Sequence, residues 1–491
     1  MTSLGQISYE ELQSFLATFN EKKSNQKDNG VYYTENDITN YISKLCFRVH
    51  SSSELPKNIN ENIDSLNFES IINLSIFDPT CGSGAFLLTN LEQKIKELRN
   101  KNFEKVDVEN IVKTIYGNDL DEVSVLITKL RLFTAILHNF GIDYIGNLPS
   151  ILNKNISCSN IFSLQTNKKF DVVLGNPPYV ETKRNYLLDF QNTYGNLYAD
   201  VLGHSLSFLK EDGVLGFIIP LSFISTPRMC KLREVINSKL KTQIILSYAD
   251  RPGCLFAGVH QKLNVFIGSA KGTGKFYTNN YQYFYKEQRP DLFQKILCIQ
   301  NNFIFKDFVP KLGTEFDLKI FKKILNQKKI YDFKKQIGEN KLYLNMRACF
   351  FIKAFISPHM TGEYKELRFE SEEERNFLYC ILNSSLFWWF WICVSDCWHI
   401  TSKEFVYFKI PSKFDSHTVL ILSQNLENKL EDTKKYIGSK QTEYEYKHRL
   451  CINEIHSIDD YINLLYGLDE AESNYIKKFA LAYRTSEGVA K

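Results

Sequence analysis

Between residues 37 and 49 the apolar side chains Ile38, Tyr41, Ile42 and Leu45 recur at helical spacing, which predicts a helix with one buried face. A more polar helix is expected over 9–19, followed by a Lys-, Asn- and Gln-rich connector ending at Gly30. Downstream, short apolar runs alternate with longer amphipathic stretches. They predict strands at 71–77, 111–116 and 170–174, and helices at 84–99 and 123–138. A helix at 197–209 and a strand at 214–220 repeat the unit. Strands at 243–248 and 262–268 then flank a loop containing Arg251-Pro252-Gly253. This order predicts an α/β fold with a parallel sheet covered by helices on both faces.

The flexible basic stretch Lys271-Gly272-Thr273-Gly274 sets the expected domain boundary. Beyond it the sequence turns Lys-, Tyr- and Phe-rich and closes in helical patterns from Val419. The expected organisation is a helical segment over 1–28, an α/β domain over 29–270 and an α+β domain over 271–491. A length of 491 residues suits two domains, each with its own core.

The longest apolar run, 386–394, is shorter than the roughly 18 residues of a membrane span. Met1-Thr2-Ser3-Leu4 does not open a targeting sequence, so a cytoplasmic protein without a membrane partner is expected. Eleven cysteines, an odd number without framework spacing, predict reduced thiols. Cys393 and Cys397, near His399, lack a second ligand pair. They read as buried thiols rather than metal ligands, and no metal is expected. The net charge of +4 excludes little, but its distribution is uneven. Between Lys271 and Lys353 there are about ten more basic than acidic residues, interleaved with Phe and Tyr. That pattern fits a nucleic-acid surface or a solvated basic face.

Three motifs carry candidate chemistry. Asp78-Pro79-Thr80-Cys81-Gly82-Ser83-Gly84-Ala85-Phe86 lies at a strand-to-helix junction, the ligand edge of an open α/β sheet. It lacks the Gly-Lys-Ser/Thr ending of a phosphate loop, and its Asp78 would repel phosphate. A cationic or zwitterionic ligand such as S-adenosylmethionine suits it better. Tyr116-Gly117-Asn118-Asp119 ends the next strand in an acid that can hold two ribose hydroxyls or cap a helix. Asp171 to Gly175 is an apolar strand running into Asn176-Pro177-Pro178-Tyr179. Two prolines stiffen that turn and remove two donors, so it presents oxygens to whatever lies above the sheet. An exocyclic amine could give its protons to the Asn176 side chain and the Pro177 carbonyl while Tyr179 stacks on its ring.

With these motifs in order, the chain resembles the gamma class of amino-group DNA methyltransferases, the TaqI-like and Eco57I-like enzymes of restriction-modification systems. The resemblance implies a Rossmann-like class I methyltransferase domain and a C-terminal α+β target recognition domain. It implies methyl transfer from S-adenosylmethionine to the N6 amine of a flipped-out adenine. Thr34, from a Tyr-Thr element at 30–34, and Asp78, Cys81 and Gly82 would contact the methionine moiety, Asp119 the ribose, and Asn160 and Ile161 the adenine ring. The family usually has Asp in place of Asn160, and tends to have proline in place of Glu35. Asn176, Pro177 and Tyr179 would act on the target base. Phe256 is the counterpart of an aromatic on the base's second face, with a core phenylalanine as the competing reading. Residues 382–387, 395–396 and 458–468 are similar to segments of the recognition domains and closing helices of such enzymes. The implied partners are double-stranded DNA, met by a monomer, and a separate cognate restriction endonuclease, since about 28 leading residues are too few for a nuclease domain. RNA or protein-glutamine methylation by the same turn, and a decayed DNA-binding relative, are the competing functions.

Overall fold

Five short apolar strands meet side by side in parallel: β3 (Ile156–Cys158), β2 (Ile115–Asp119), β1 (Ile76–Asp78), β4 (Phe170–Gly175) and β5 (Leu209–Pro220). Helices cover both faces, so the central strands β1 and β4 are nearly continuous apolar runs rather than alternating ones. β7 (Leu263–Ser269) and β6 (Thr242–Tyr248) continue the sheet as an antiparallel pair. β8 (Lys275–Asn279) and β9 (Cys298–Gln300) close it, in the order β3-β2-β1-β4-β5-β7-β6-β8-β9. The strand order reverses between β1 and β4, the switch point at which open α/β sheets bind ligands outside their carboxyl ends.

The computed structural model describes residues 7–19, 34–52, 59–61, 63, 68–164, 166–181, 193–256, 260–272, 274–331, 337–359, 362–438 and 443–485. The chain divides into two compact units, Met1–Asp307 and Phe308–Lys491. The stretch at 271–274 expected as a boundary lies inside the first unit, because β8 and β9 hydrogen-bond to the sheet beyond it.

Two expected strands differ. Residues 105–113 are helical, and Val108, Ile111 and Val112 bury one face at i, i+3, i+4 spacing. β2 therefore starts only at Ile115. Residues 68–73 form a 3₁₀ turn, leaving β1 three residues long. The helix Glu122–Phe140 is long and apolar enough to cross a membrane by length and composition, although polar residues interrupt its apolar runs. Within this unit its Val125, Ile127, Leu132, Ala135 and Ile136 are buried.

In the second unit, a three-stranded antiparallel sheet, β11 (Ala354–Phe355), β10 (Asn340–Asn345) and β12 (Tyr364–Phe369), accompanies a set of helices. Its core is the helix Ser385–Val394, every residue of which is buried, as expected of a helix that is apolar all round. The three indole N–H groups find acceptors: Trp388 on the Cys349 carbonyl at 2.9 Å, Trp389 on Asp317 Oδ1 at 3.3 Å and Trp391 on the His399 carbonyl at 2.9 Å.

Candidate active site

β1 runs out through Asp78 and turns at Cys81-Gly82-Ser83-Gly84 into the helix Ala85–Arg99. Gly84 sits at φ +77°, and a Cβ there would come within 2.8 Å of the Thr128 side chain, so the turn needs glycine. Register places Asp78 beside Gly117 and Phe77 beside Val173, bringing the ends of β1, β2 and β4 together.

Asp119 holds the turn from the neighbouring strand. Its Oδ2 accepts the Gly82 amide at 2.8 Å and its Oδ1 the Asp121 amide at 2.9 Å. Burial raises its pKa. The Asp78 carboxyl is buried, and its pKa is pushed well above the usual range by desolvation and then by the charge of Asp119, against one backbone bond from Thr80. Two desolvated carboxylates at one sheet edge suit a cationic group, whose charge would reverse both shifts. Gly175 faces them at close range, since a Cβ there would lie 2.6 Å from Asp78 Oδ1. Among the described residues the buried hydroxyl of Thr80 has no hydrogen-bond partner. Cys81 is a buried thiol with a raised pKa, its amide bound to the Asn118 carbonyl at 2.8 Å.

At the end of β4, the Asn176 amide nitrogen donates to the Thr34 hydroxyl at 3.0 Å. Its Oδ1 receives the Tyr179 hydroxyl at 2.6 Å, a hydroxyl also 3.0 Å from the Ile218 carbonyl. The Tyr179 ring lies edge-on to Tyr198, with centroids 6.3 Å apart, and Pro177 is buried. Asn160 follows β3 and caps the short turn Ile161–Ser163 by accepting the Phe162 amide at 3.1 Å, while Ile161 is buried.

The expected residues thus form two groups on adjacent strand ends, Thr34 with Asn176 and Tyr179, and Asp78 with Cys81, Gly82 and Asp119. Phe256 stands apart: it is 2% exposed and belongs to the hydrophobic core. The partial exposure expected of a stacking residue is not seen, because its ring packs inward.

Several supporting residues were invisible to motif reading. Asn118 is buried and ties the turn to the end of β3, donating to the carbonyls of Pro79 at 3.3 Å and Ser159 at 3.0 Å and accepting the hydroxyls of Ser157 and Ser159. Thr128 and Arg131, one turn apart on one helix, bind the carbonyls of Gly82 at 2.8 Å and Ser83 at 2.7 Å. Gln13 in turn accepts from Arg131 Nε at 3.0 Å, docking the N-terminal helix Tyr9–Thr18. Arg289 pairs with Glu35 and Asp37, next to Thr34, and donates to the carbonyls of Cys254 and Leu255 at 3.2 and 2.6 Å. The helix spacing of Thr128 and Arg131 was the one available signal; the others meet only through the fold.

Residues 113–252 match the model of the Eco57I restriction-modification methylase family. The type II restriction enzyme and methyltransferase RM.Eco57I of Escherichia coli is 28% identical over 231 residues, covering 37% of this chain and 23% of that protein. The modification methylase CviBIII of Paramecium bursaria Chlorella virus NC1A is 27% identical over 232 residues, covering 46% of this chain and 52% of that one. The chain therefore spans about half, or less, of the length of these relatives. The type IIL restriction-modification enzyme MmeI, solved with DNA, superposes with a TM-score of 0.58 at 14% identity, covering 99% of this chain and 82% of MmeI, a likeness of fold. With the sheet order and the strand-end motifs in place, residues 113–252 are similar to the Eco57I restriction-modification methylase family, within an α/β fold of Rossmann-like sheet order.

Proposed function

We propose that this chain is an S-adenosylmethionine-dependent DNA methyltransferase acting on the N6 amine of adenine. The observation that carries the reading is the Asn176 amide, oriented by Thr34 at 3.0 Å, at a strand end next to the buried Asp78 and the half-buried Asp119. Thr34 takes the amide nitrogen, so Oδ1 is the atom turned to the site. An adenine amine entering there displaces the Tyr179 hydroxyl from Oδ1, leaving that hydroxyl its bond to Ile218.

The donor turn fits the cofactor in charge and in shape. Asp119 has lone pairs left for ribose hydroxyls, Asp78 would answer the cationic methionine moiety, and Gly175 leaves room at the Asp78 carboxylate. Asn160 and Ile161 would flank the adenine ring of the cofactor. S-adenosylmethionine, when bound, supplies an electrophilic methyl group. The Asn176 side chain and the Pro177 carbonyl accept the two protons of the amine and direct its lone pair toward that methyl. Tyr179 stacks on the ring, worth about 1 to 3 kcal/mol. The amine becomes acidic once methylated, so no strong base is needed. Inside a duplex this nitrogen is out of reach, so the adenine must flip out, at a cost of a few kcal/mol.

The second unit is assigned to target recognition, and the part of the basic excess that falls within it, from Lys311 to Lys353, supports contact with phosphates. The protein acts on double-stranded DNA as a monomer. Tritium transfer from labelled S-adenosylmethionine to duplex DNA, RNA and protein, followed by identification of the modified base, tests the reading. Label in N6-methyladenine of DNA is expected, with turnover lower by about 100-fold or more in Asn176→Ala. Label only in RNA or protein, or an Asn176→Ala variant of wild-type turnover, would overturn it.

A further inference from the structure

The turn from Ser395 to Ile400 in the second unit has no part in the chemistry above, yet it is held from several sides. Cys397 is buried at φ +56°, a left-handed conformation that a residue with a side chain seldom adopts. Its amide donates to Ser395 Oγ at 2.9 Å, and the buried Lys311 donates to the Ser395 carbonyl at 2.8 Å. Asp396 Oδ1 accepts the amides of Trp398 and His399 at 2.9 and 2.8 Å, and its Oδ2 lies 2.9 Å from His399 Nδ1. From below, the Trp391 indole binds the His399 carbonyl at 2.9 Å.

All of this fixes a side chain that is half exposed: His399 is 52% accessible. Because the Asp396 carboxylate can only accept, Nδ1 carries the proton and Nε2 is the atom presented to solvent. Alongside runs Arg347, paired with His399 across an antiparallel bridge that is closed by Ala348 N to Trp398 O at 3.1 Å and Ile400 N to Met346 O at 2.9 Å. Arg347 Nη1 lies 2.9 Å from Glu363 Oε1, and both side chains are at least half exposed. An exposed pair of this kind adds little to stability, so the turn and the segments beside it present three exposed polar groups, His399, Arg347 and Glu363. Strain concentrated under an exposed polar group is a pointer to a binding role.

We propose that Arg347, Glu363 and His399 read the major-groove edge of one G·C pair in the target site, an inference that rests on the DNA reading above. The set mixes a two-pronged donor, a carboxylate acceptor and a fixed imidazole nitrogen. Guanine offers two acceptors, O6 and N7, to a guanidinium, and cytosine offers its N4 amine to a carboxylate. A backbone phosphate has acceptors only and would be repelled by Glu363, so the carboxylate in the cluster favours a base edge.

The test uses the full chain with S-adenosylmethionine and a duplex library randomised around each adenine, with methylated positions read by sequencing. Wild type, Arg347→Ala, Arg347→Lys, Glu363→Gln and His399→Ala are compared. Base reading predicts that the wild type prefers G·C at one position, and that this preference falls by about 5- to 150-fold in Arg347→Ala and also in Arg347→Lys, which keeps the charge but loses the fork. DNA affinity should keep its salt dependence. A uniform loss across sequences, rescued by Arg347→Lys and with a shallower salt slope, would make the cluster a phosphate contact and overturn the proposal. An unchanged site preference in folded Arg347→Lys and Glu363→Gln would overturn it as well, while leaving the methyltransferase reading intact. A wild type that methylates no DNA removes that reading itself, and this inference with it.

Discussion

Thr34 and Asn176 lie 142 positions apart and meet through one hydrogen bond, 3.0 Å from the amide nitrogen to the hydroxyl oxygen. An amide side chain can be turned either way by its surroundings, and here its nitrogen faces Thr34 and its oxygen the Tyr179 hydroxyl. Thr34 is therefore a positioning residue for Asn176. Thr34→Val keeps the shape and removes the acceptor. We expect kcat to fall about tenfold, the cost of roughly one hydrogen bond, with KM for DNA little changed and Thr34→Ser restoring the rate. A Thr34→Val enzyme with unchanged kcat would assign the bond to stability alone.

The donor turn depends on Asp119 gripping the Gly82 amide and remaining available to a ligand. Asp119→Ala should weaken S-adenosylmethionine by roughly 1.5 to 3 kcal/mol, as for hydrogen bonds to a charged group. Burial raises the pKa of both Asp78 and Asp119, and a cationic ligand prefers both ionised. Cofactor affinity should therefore tighten as pH rises through their titration, and Asp119→Ala should flatten that dependence. Calorimetry at several pH values measures both effects.

Gly84 carries the turn at φ +77°, and the Thr128 side chain fills the space beside it. Gly84→Ala adds a methyl 2.8 Å from that side chain in a conformation costly for alanine. The variant should lose cofactor binding, and Gly84→Ala combined with Thr128→Ser should recover only part of it, because the side-chain oxygen, also 2.8 Å away, and the backbone strain both remain. Full recovery would show that crowding alone was at fault.

Phe256 tests packing against function. Its side chain is buried in the core of the first unit, so Phe256→Ala should cost about 3 to 5 kcal/mol of stability. Chemical denaturation measures this. A melting temperature matching the wild type, with a loss confined to flipped-base binding followed by 2-aminopurine fluorescence, would return the ring to the stacking role.

Asp459 supplies a pH dependence in the second unit. It is fully buried, its Oδ1 accepts the Ser385 amide at 2.6 Å, and burial pushes its carboxyl up to about 6. A carboxyl whose pKa is higher in the folded state favours folding when protonated. Its contribution is present below the ordinary carboxylate range and is lost as pH rises through about 6. Asp459→Asn, which keeps the acceptor oxygen, should be more stable than wild type at neutral pH by on the order of 3 kcal/mol, with the difference vanishing near pH 4. A variant less stable at neutral pH would show that the ionised form is held favourably.

The sequence alone determined the α/β alternation, the motif at Asp78 to Gly84, the acid at Asp119 and the turn at Asn176 to Tyr179. Each of these is local: periodicity, glycine at a junction and paired prolines restrict the backbone within a few residues. Local signals misjudged β2, because Ile111 and Val112 suit either a strand or the buried face of a helix, and only packing of Val108 beside them decides. The boundary after 270 failed for a related reason, since a Gly-rich basic stretch also serves as the turn into a strand that completes a sheet. What holds the site together was decided by tertiary structure: Thr34 on Asn176, Asn118 on Pro79 and Ser159, Arg131 on Ser83 and Arg289 on Asp37. These partners are separated by 39 to 252 positions. No spacing rule reaches that far, because which side chain satisfies a buried polar group depends on strand order and helix placement, properties of the folded chain as a whole.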